Sequence, residues 1–211
     1  VNGHGPLGTH APLIGIIGPI GAGKSTVAAR LASRGAVVID ADMLTRELMA
    51  PGTPVTAAIL ARFGDRYRRP DGSLDRAALG RNVFSDPERL AELESIVHPA
   101  VGELERERIL AADAGRPPAI VIEAVKLVEA GHAVWCDEVW LVDCEPATQL
   151  ARLVGRGMAE SDARQRMAAQ EASMPLWRAA ATRIVRTDAP LAEVNTQVDA
   201  LLDGLRSAGR S

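Results

Sequence analysis

The segment Gly18-Pro-Ile-Gly-Ala-Gly23-Lys24-Ser25 constrains this chain more than any other. A short apolar run, Leu13-Ile-Gly-Ile-Ile-Gly18, precedes it, and Lys24–Arg34 follows with apolar residues at helical spacing until Gly35. Strand, glycine turn and helix in that order match the pattern G-x-x-x-x-G-K-[ST]. Its glycines let successive backbone N–H groups converge on phosphate oxygens, and the helix N-terminus adds its dipole. Gly18, Ile20, Gly21, Ala22, Gly23, Lys24, Ser25 and Thr26 are therefore the expected nucleotide-binding residues. Lys24 offers a compact charge to the β- and γ-phosphates, and the Ser25 hydroxyl is a candidate Mg²⁺ ligand.

The rest of the chain continues the alternation. Ala36–Asp40, Ala119–Ile122, Glu138–Val142 and, more weakly, Arg183–Val185 read as further strands. Pro146–Gly155, Ser161–Gln170 and Leu191–Leu205 read as helices. Apolar strands without alternation, separated by helices, indicate a parallel sheet covered on both faces. The predicted fold is α/β: a P-loop NTPase-like three-layer α/β/α sandwich around a parallel five-stranded sheet. Between the second and third strands the chain is helical, with Ala57–Phe63, Asp75–Val83, Pro87–Ile96 and His98–Ala112 broken by Pro-Gly, Asp-Gly and His-Pro. This predicts a helical insertion at about residues 50–115. Residues 1–10 read as a disordered extension before a single kinase-like domain over 11–211.

Composition narrows the partners. With 47% hydrophobic and 24% charged residues in 211, the chain can bury a core. A net charge of −3 supplies no general field for nucleic acid. No run approaches the ~18 unbroken apolar residues of a membrane span. Cys136 and Cys144 form neither a disulfide framework nor a zinc pattern, so a cytoplasmic location is expected. Only 2 of the 24 basic residues are lysines, Lys24 and Lys126. The phosphate loop accounts for the first, because it needs a slender point charge and not a planar fork.

Asp40-Ala-Asp42 ends the second strand, at the carboxyl edge where open α/β sheets hold ligands. One carboxylate could take a proton from an acceptor hydroxyl while the other supports a metal shell, or Asp42 could cap a helix. Neither N-K-x-D nor D-x-x-G occurs, which removes the GTPase reading; the size, the acid pair and the Arg-rich C-terminal third favour a small-molecule kinase. Glu123, at a strand end, is a second candidate metal-shell carboxylate.

The motifs then become specific. The phosphate loop is followed by Val38-Ile-Asp-Ala-Asp42 with Arg46, Asp71-Gly-Ser-Leu-Asp-Arg76, Leu93-Glu-Ser-Ile-Val-His98-Pro99, Leu127-Val-Glu129, Gln149-Leu-Ala-Arg152 with Arg156, and Gln170. In this order and spacing the chain resembles the dephospho-CoA kinases, from Gly15 to about Leu202. The resemblance implies transfer of the ATP γ-phosphate to the ribose 3′-hydroxyl of dephospho-CoA, with Mg²⁺ accompanying ATP. It implies Asp42 as base, with Lys24, Arg152 and Arg156 on the transferred phosphate. The helical insertion would form a CoA-binding domain contributing Arg46, Arg76 and His98. A short helical lid would span about residues 153–180, and a monomer or weak homo-oligomer is expected.

The chain departs from the family pattern in places. Pro19 and Ala22 stand inside the loop, and the usual Pro-Leu-Leu-aromatic-Glu reads Val125-Lys126-Leu-Val-Glu129. The asparagine segment near adenine becomes Arg183-Ile-Val-Arg-Thr187-Asp-Ala189, preceded by Thr182. Relaxed choice of base is expected from the last change. Lys126 and Glu129 join Asp40 and Asp42 as expected substrate contacts. The residues alone leave open a P-loop kinase for a nucleoside or small alcohol, and a nucleotide-binding regulator without catalysis.

Overall fold

The computed structural model describes residues 7–208. Five strands, β1 (Leu13–Ile17), β2 (Val37–Asp40), β3 (Ile120–Glu123), β4 (Glu138–Asp143) and β5 (Arg183–Arg186), form one sheet in the order β2-β3-β1-β4-β5. β1 pairs in parallel with β3 and with β4, and β4 with β5. Every residue of β1 and β4 is buried, the property that made these segments read as unbroken apolar runs. β1 lies at the centre, and the chain crosses from one side of it (β3) to the other (β4). The loop after β1 therefore leaves the sheet beside a topological switch point.

Helices α1 (Lys24–Ser33) and α9 (Leu191–Ala208) pack on one face. Val27 and Leu31 meet Ile14, Ile16, Val121, Trp140 and Val142 of the strands, and Val194, Val198 and Leu202 complete that core. Polar pairs on the rim join the same helices: the Arg30 guanidinium grips the Asp199 carboxylate, and Arg34 reaches Asp199 at 3.0 Å and Asp203 at 3.1 Å. Helices α6 (Pro146–Gly155), α7 (Glu160–Glu171) and α8 (Met174–Ala180) fill the interval between β4 and β5.

The chain divides into two compact units. One comprises the residues up to Ile39 and those from Ile109 onward; the other is the continuous stretch Asp40–Arg108. The second unit contains α2 (Ala41–Leu48), α3 (Pro54–Phe63) and α4 (Arg76–Val83), together with most of α5 (Pro87–Asp113). Its boundaries fall earlier at each end than the expected 50 and 115. Its own core gathers Val55, Ile59, Leu60, Tyr67, Leu74, Leu79, Val83, Val97 and Val101. Local chemistry starts its helices: Thr53 accepts from the Thr56 N–H with Pro54 at the first helical position, and the Asp75 carboxylate accepts from the Ala78 N–H.

Two expectations need correction. The predicted break at His98-Pro99 is absent, and α5 runs unbroken through Pro99 for 27 residues. Burial of Val97 and Val101 in the unit's core outweighs the hydrogen bond that proline cannot make. The expected extension over residues 1–10 lies outside the described residues as far as position 6, but residues 7–10 are not untethered. Thr9 is buried, and the N–H groups of His10 and Ala11 donate to the Asp113 carboxylate at 2.8–3.0 Å. No helix among the described residues is long and apolar enough to cross a membrane.

Candidate active site

The phosphate loop is shaped by what it packs against. Gly18 has φ 141°, and a Cβ there would lie 2.1 Å from the Val142 carbonyl oxygen of β4, so no other residue fits at the start of the loop. Gly23, at φ 99° and ψ 19°, is the left-handed residue that opens α1. Inside the loop the Ala22 N–H donates to the Pro19 carbonyl at 3.2 Å, and the Ile20 N–H donates to Gln170 Oε1 at 2.7 Å. The N–H groups of Gly21, Gly23 and Ser25 have no protein acceptor among the described residues. Ile20 and Ala22 were expected among the nucleotide-binding residues; here their N–H groups are engaged within the protein. The Thr26 N–H likewise bonds the Gly23 carbonyl at 3.0 Å.

Lys24 lies across the loop, its ammonium donating to the carbonyls of Gly18 at 2.8 Å and Pro19 at 3.1 Å. The Ser25 hydroxyl donates to Glu123 Oε1 at 3.0 Å. Two residues 98 positions apart, both expected near a metal, are thus brought together by the parallel pairing of β1 with β3. Magnesium in such sites keeps several waters and takes only one or two protein oxygens, so a hydroxyl beside a carboxylate is a donor set that fits it.

Of the two arginines expected at the transferred phosphate, Arg156 is the exposed C-cap of α6, and Arg152 is half-buried and engaged with the loop. The Arg152 guanidinium donates to the Gly21 and Ala22 carbonyls at 3.4 and 3.3 Å, to Thr187 Oγ1 at 2.9 Å and to the Thr187 carbonyl at 2.6 Å. The Thr187 hydroxyl in turn donates to the Ala22 carbonyl at 2.6 Å. Thr187, Gln149 and Gln170 were not among the predicted site residues. The only signal for the glutamines was their place in the recurring motifs, and Thr187 stood within a segment that departs from the pattern.

Glu129, expected at the substrate, accepts the Trp177 indole N–H at 2.9 Å and so ties the turn after β3 to α8. Lys126 is exposed in that same turn. Beside Pro19 and Gln149 a cleft of about 540 Å³ opens against α7 and α8, with Asp143, Arg178 and Arg186 on its wall. Asp143 meets Arg186 at 3.3 Å and Arg178 at 3.4 Å. Cys144, at the same wall, is a free thiol whose pKa burial pushes up.

The acid pair belongs to the other unit, where its two members differ. Asp40 is the N-cap of α2: one carboxylate oxygen accepts the Asp42 N–H at 2.8 Å and the Met43 N–H at 3.1 Å. The expected alternative, Asp42 as the cap, is therefore corrected. Asp42 sits in the first turn, exposed, with no side-chain partner among the described residues. Arg46 and Arg76 are exposed and His98 is half-buried within α5. No hydrogen bond or ion pair joins these three to one another among the described residues.

Residues 12–193 match the dephospho-CoA kinase family. A dephospho-CoA kinase of Streptomyces avermitilis is 50% identical over 187 residues, covering 88% of this chain and 89% of its own length. Among solved structures, a Thermus thermophilus protein superposes with a TM-score of 0.77 at 34% identity, covering 92% of this chain and 98% of its own. A Campylobacter jejuni dephospho-CoA kinase gives a TM-score of 0.69 at 20% identity over 93% of this chain and 98% of its own, a likeness of fold.

Proposed function

We infer how the site works from one premise: the chain belongs to the dephospho-CoA kinase family, and moves the γ-phosphate of ATP to the 3′-hydroxyl of dephospho-CoA. In that reaction the 3′-oxygen bonds to the γ-phosphorus as the bond to the β,γ-bridging oxygen breaks. The hydroxyl proton must leave, and ADP is released. Little covalent chemistry falls to the protein, so its residues position groups and neutralise charge.

The loop N–H groups of Gly21, Gly23 and Ser25 receive phosphate oxygens, and the Lys24 ammonium exchanges its two carbonyl partners for the β- and γ-phosphates. Ser25 and Glu123 would hold the Mg²⁺ that accompanies ATP. The ion supplies charge stabilisation on the phosphate oxygens. Arg156, exposed at the end of α6, is a second cation for the transferred phosphate. Arg152 holds the loop and Thr187 in place. Asp42, exposed and without a side-chain partner among the described residues, takes the hydroxyl proton; Asp40 caps α2 through one carboxylate oxygen. Residues of the helical unit, Arg46, Arg76 and His98, bind the CoA moiety, with Lys126 as a further substrate contact. Glu129 braces α8. Residues 153–180 act as a lid, and the protein works in the cytoplasm as a monomer or weak homo-oligomer.

The observation that carries this reading is the Ser25–Glu123 pair at the mouth of a loop whose Gly21, Gly23 and Ser25 N–H groups have no protein acceptor among the described residues. ADP release with MgATP is the test, using dephospho-CoA beside CoA and a panel of nucleosides. Turnover is expected with dephospho-CoA alone, with kcat falling by ~10²–10⁴ in Asp42→Ala, the range general-base removal produces. Full activity of Asp42→Ala would remove that residue from the reaction. Turnover of a nucleoside in place of dephospho-CoA would overturn the acceptor assignment.

A further inference from the structure

The tip of the phosphate loop is held from two sides. Gln170, near the end of α7, accepts the Ile20 N–H at 2.7 Å; Gln149, in α6, donates its Nε2 to the Ile20 carbonyl at 2.7 Å. A peptide N–H can only donate and a carbonyl can only accept. The two amides are therefore bound to face opposite ways, oxygen inward for Gln170 and nitrogen inward for Gln149. Gln149 is 6% exposed, and a buried amide is costly to leave without a partner. Its helix also sits directly on the loop, since a Cβ at Gly21 would come 3.2 Å from the Gln149 carbonyl oxygen. Both glutamines thus hold the loop through the main chain of Ile20.

We propose that Gln149 and Gln170 are positioning residues: a polarity-matched clip on the two peptide groups that flank the Ile20 Cα, which sets the loop conformation in which Gly21, Gly23 and Ser25 point their N–H groups together. The clip ties α7 to the loop, so the placement of that helix and the geometry of phosphate binding are coupled. This rests on the reading that the loop holds the ATP phosphates.

Polarity gives the test. Gln170→Glu and Gln149→Glu add the same charge at the same loop tip, but only the first leaves its Ile20 main-chain group a matching partner. A glutamate at 170 still accepts; one at 149 cannot donate and opposes a carbonyl oxygen. The expected result is kcat/KM for MgATP at least about tenfold lower in Q149E than in Q170E, as for one mismatched buried hydrogen bond. KM for dephospho-CoA should stay unchanged in both, which a general loss of structure would not produce. Equal values for the two glutamates, or the reverse order, would overturn the clip.

If Q149E does not fold, Q170E against Q170L decides: the leucine variant should be the weaker, and parity overturns the proposal. Lys24→Ala separates the two readings. Unchanged MgATP affinity in that variant overturns the phosphate-loop reading itself. Lost affinity there, with equal glutamate variants, overturns only the clip.

Discussion

Asp40 and Asp42 are two positions apart in one turn of chain and do different work because of where the helix begins. The Asp40 carboxylate satisfies two of the orphan N–H groups that open α2, while Asp42 points outward from the first turn. Removing each therefore damages a different property. Asp40→Ala should lower stability by about 1 kcal/mol, the usual cost of losing an N-cap. That corresponds to roughly 2–4 °C in Tm for a chain of this size. Asp42→Ala should leave the melt nearly where it was while turnover collapses. Thermal melts and ADP release on the two variants check this, and a loss of stability in Asp42→Ala larger than in Asp40→Ala would contradict it. Arg152 follows the same logic. The family resemblance implied a phosphate ligand there; in the structure four acceptors on the loop and Thr187 hold its guanidinium.

At the level of elements, the stretch before β1 and the end of α5 form one joint. Burial pushes the Asp113 carboxyl up, but the N–H groups of Ala11 and His10 and then the His10 ring more than offset it, and the net shift is downward. A carboxyl with a depressed folded pKa contributes stability above its unfolded value, about 3.9, and loses it as pH falls through the folded value. Asp113→Asn should therefore melt below wild type at pH 6–7, and the gap should close as pH falls below about 4. A gap that stayed constant with pH would mean the carboxylate charge contributes nothing. Helix α5 shows the opposite balance between local signal and packing. Proline argues for a break, yet Val97 and Val101 on the buried face keep the helix continuous. A local rule failed there because the deciding energy was tertiary.

For the whole molecule, nucleotide should act as a stabiliser because it binds the folded loop and not the unfolded chain. MgATP at about a hundred times its Kd contributes ~2.7 kcal/mol, a rise of several degrees in Tm. Lys24→Ala should erase most of that rise, and an equal rise in the variant would separate Lys24 from phosphate binding. Much of this protein is determined by its sequence alone. Four apolar strands and a weaker fifth, a glycine loop that only one backbone conformation satisfies, and the ordered motifs of a kinase family are properties of residue type and spacing, set by burial and steric limits that act locally. The unit boundaries at Asp40 and Arg108 and the joining of two predicted helices into α5 are not of that kind. Nor is the division of labour in which Gln149, Gln170, Arg152 and Thr187 support the loop while Ser25 meets Glu123. Those pairs are 35 to 165 residues apart. A hydrogen bond between them has no trace in either local sequence, because its partners become neighbours only once the sheet has ordered its strands.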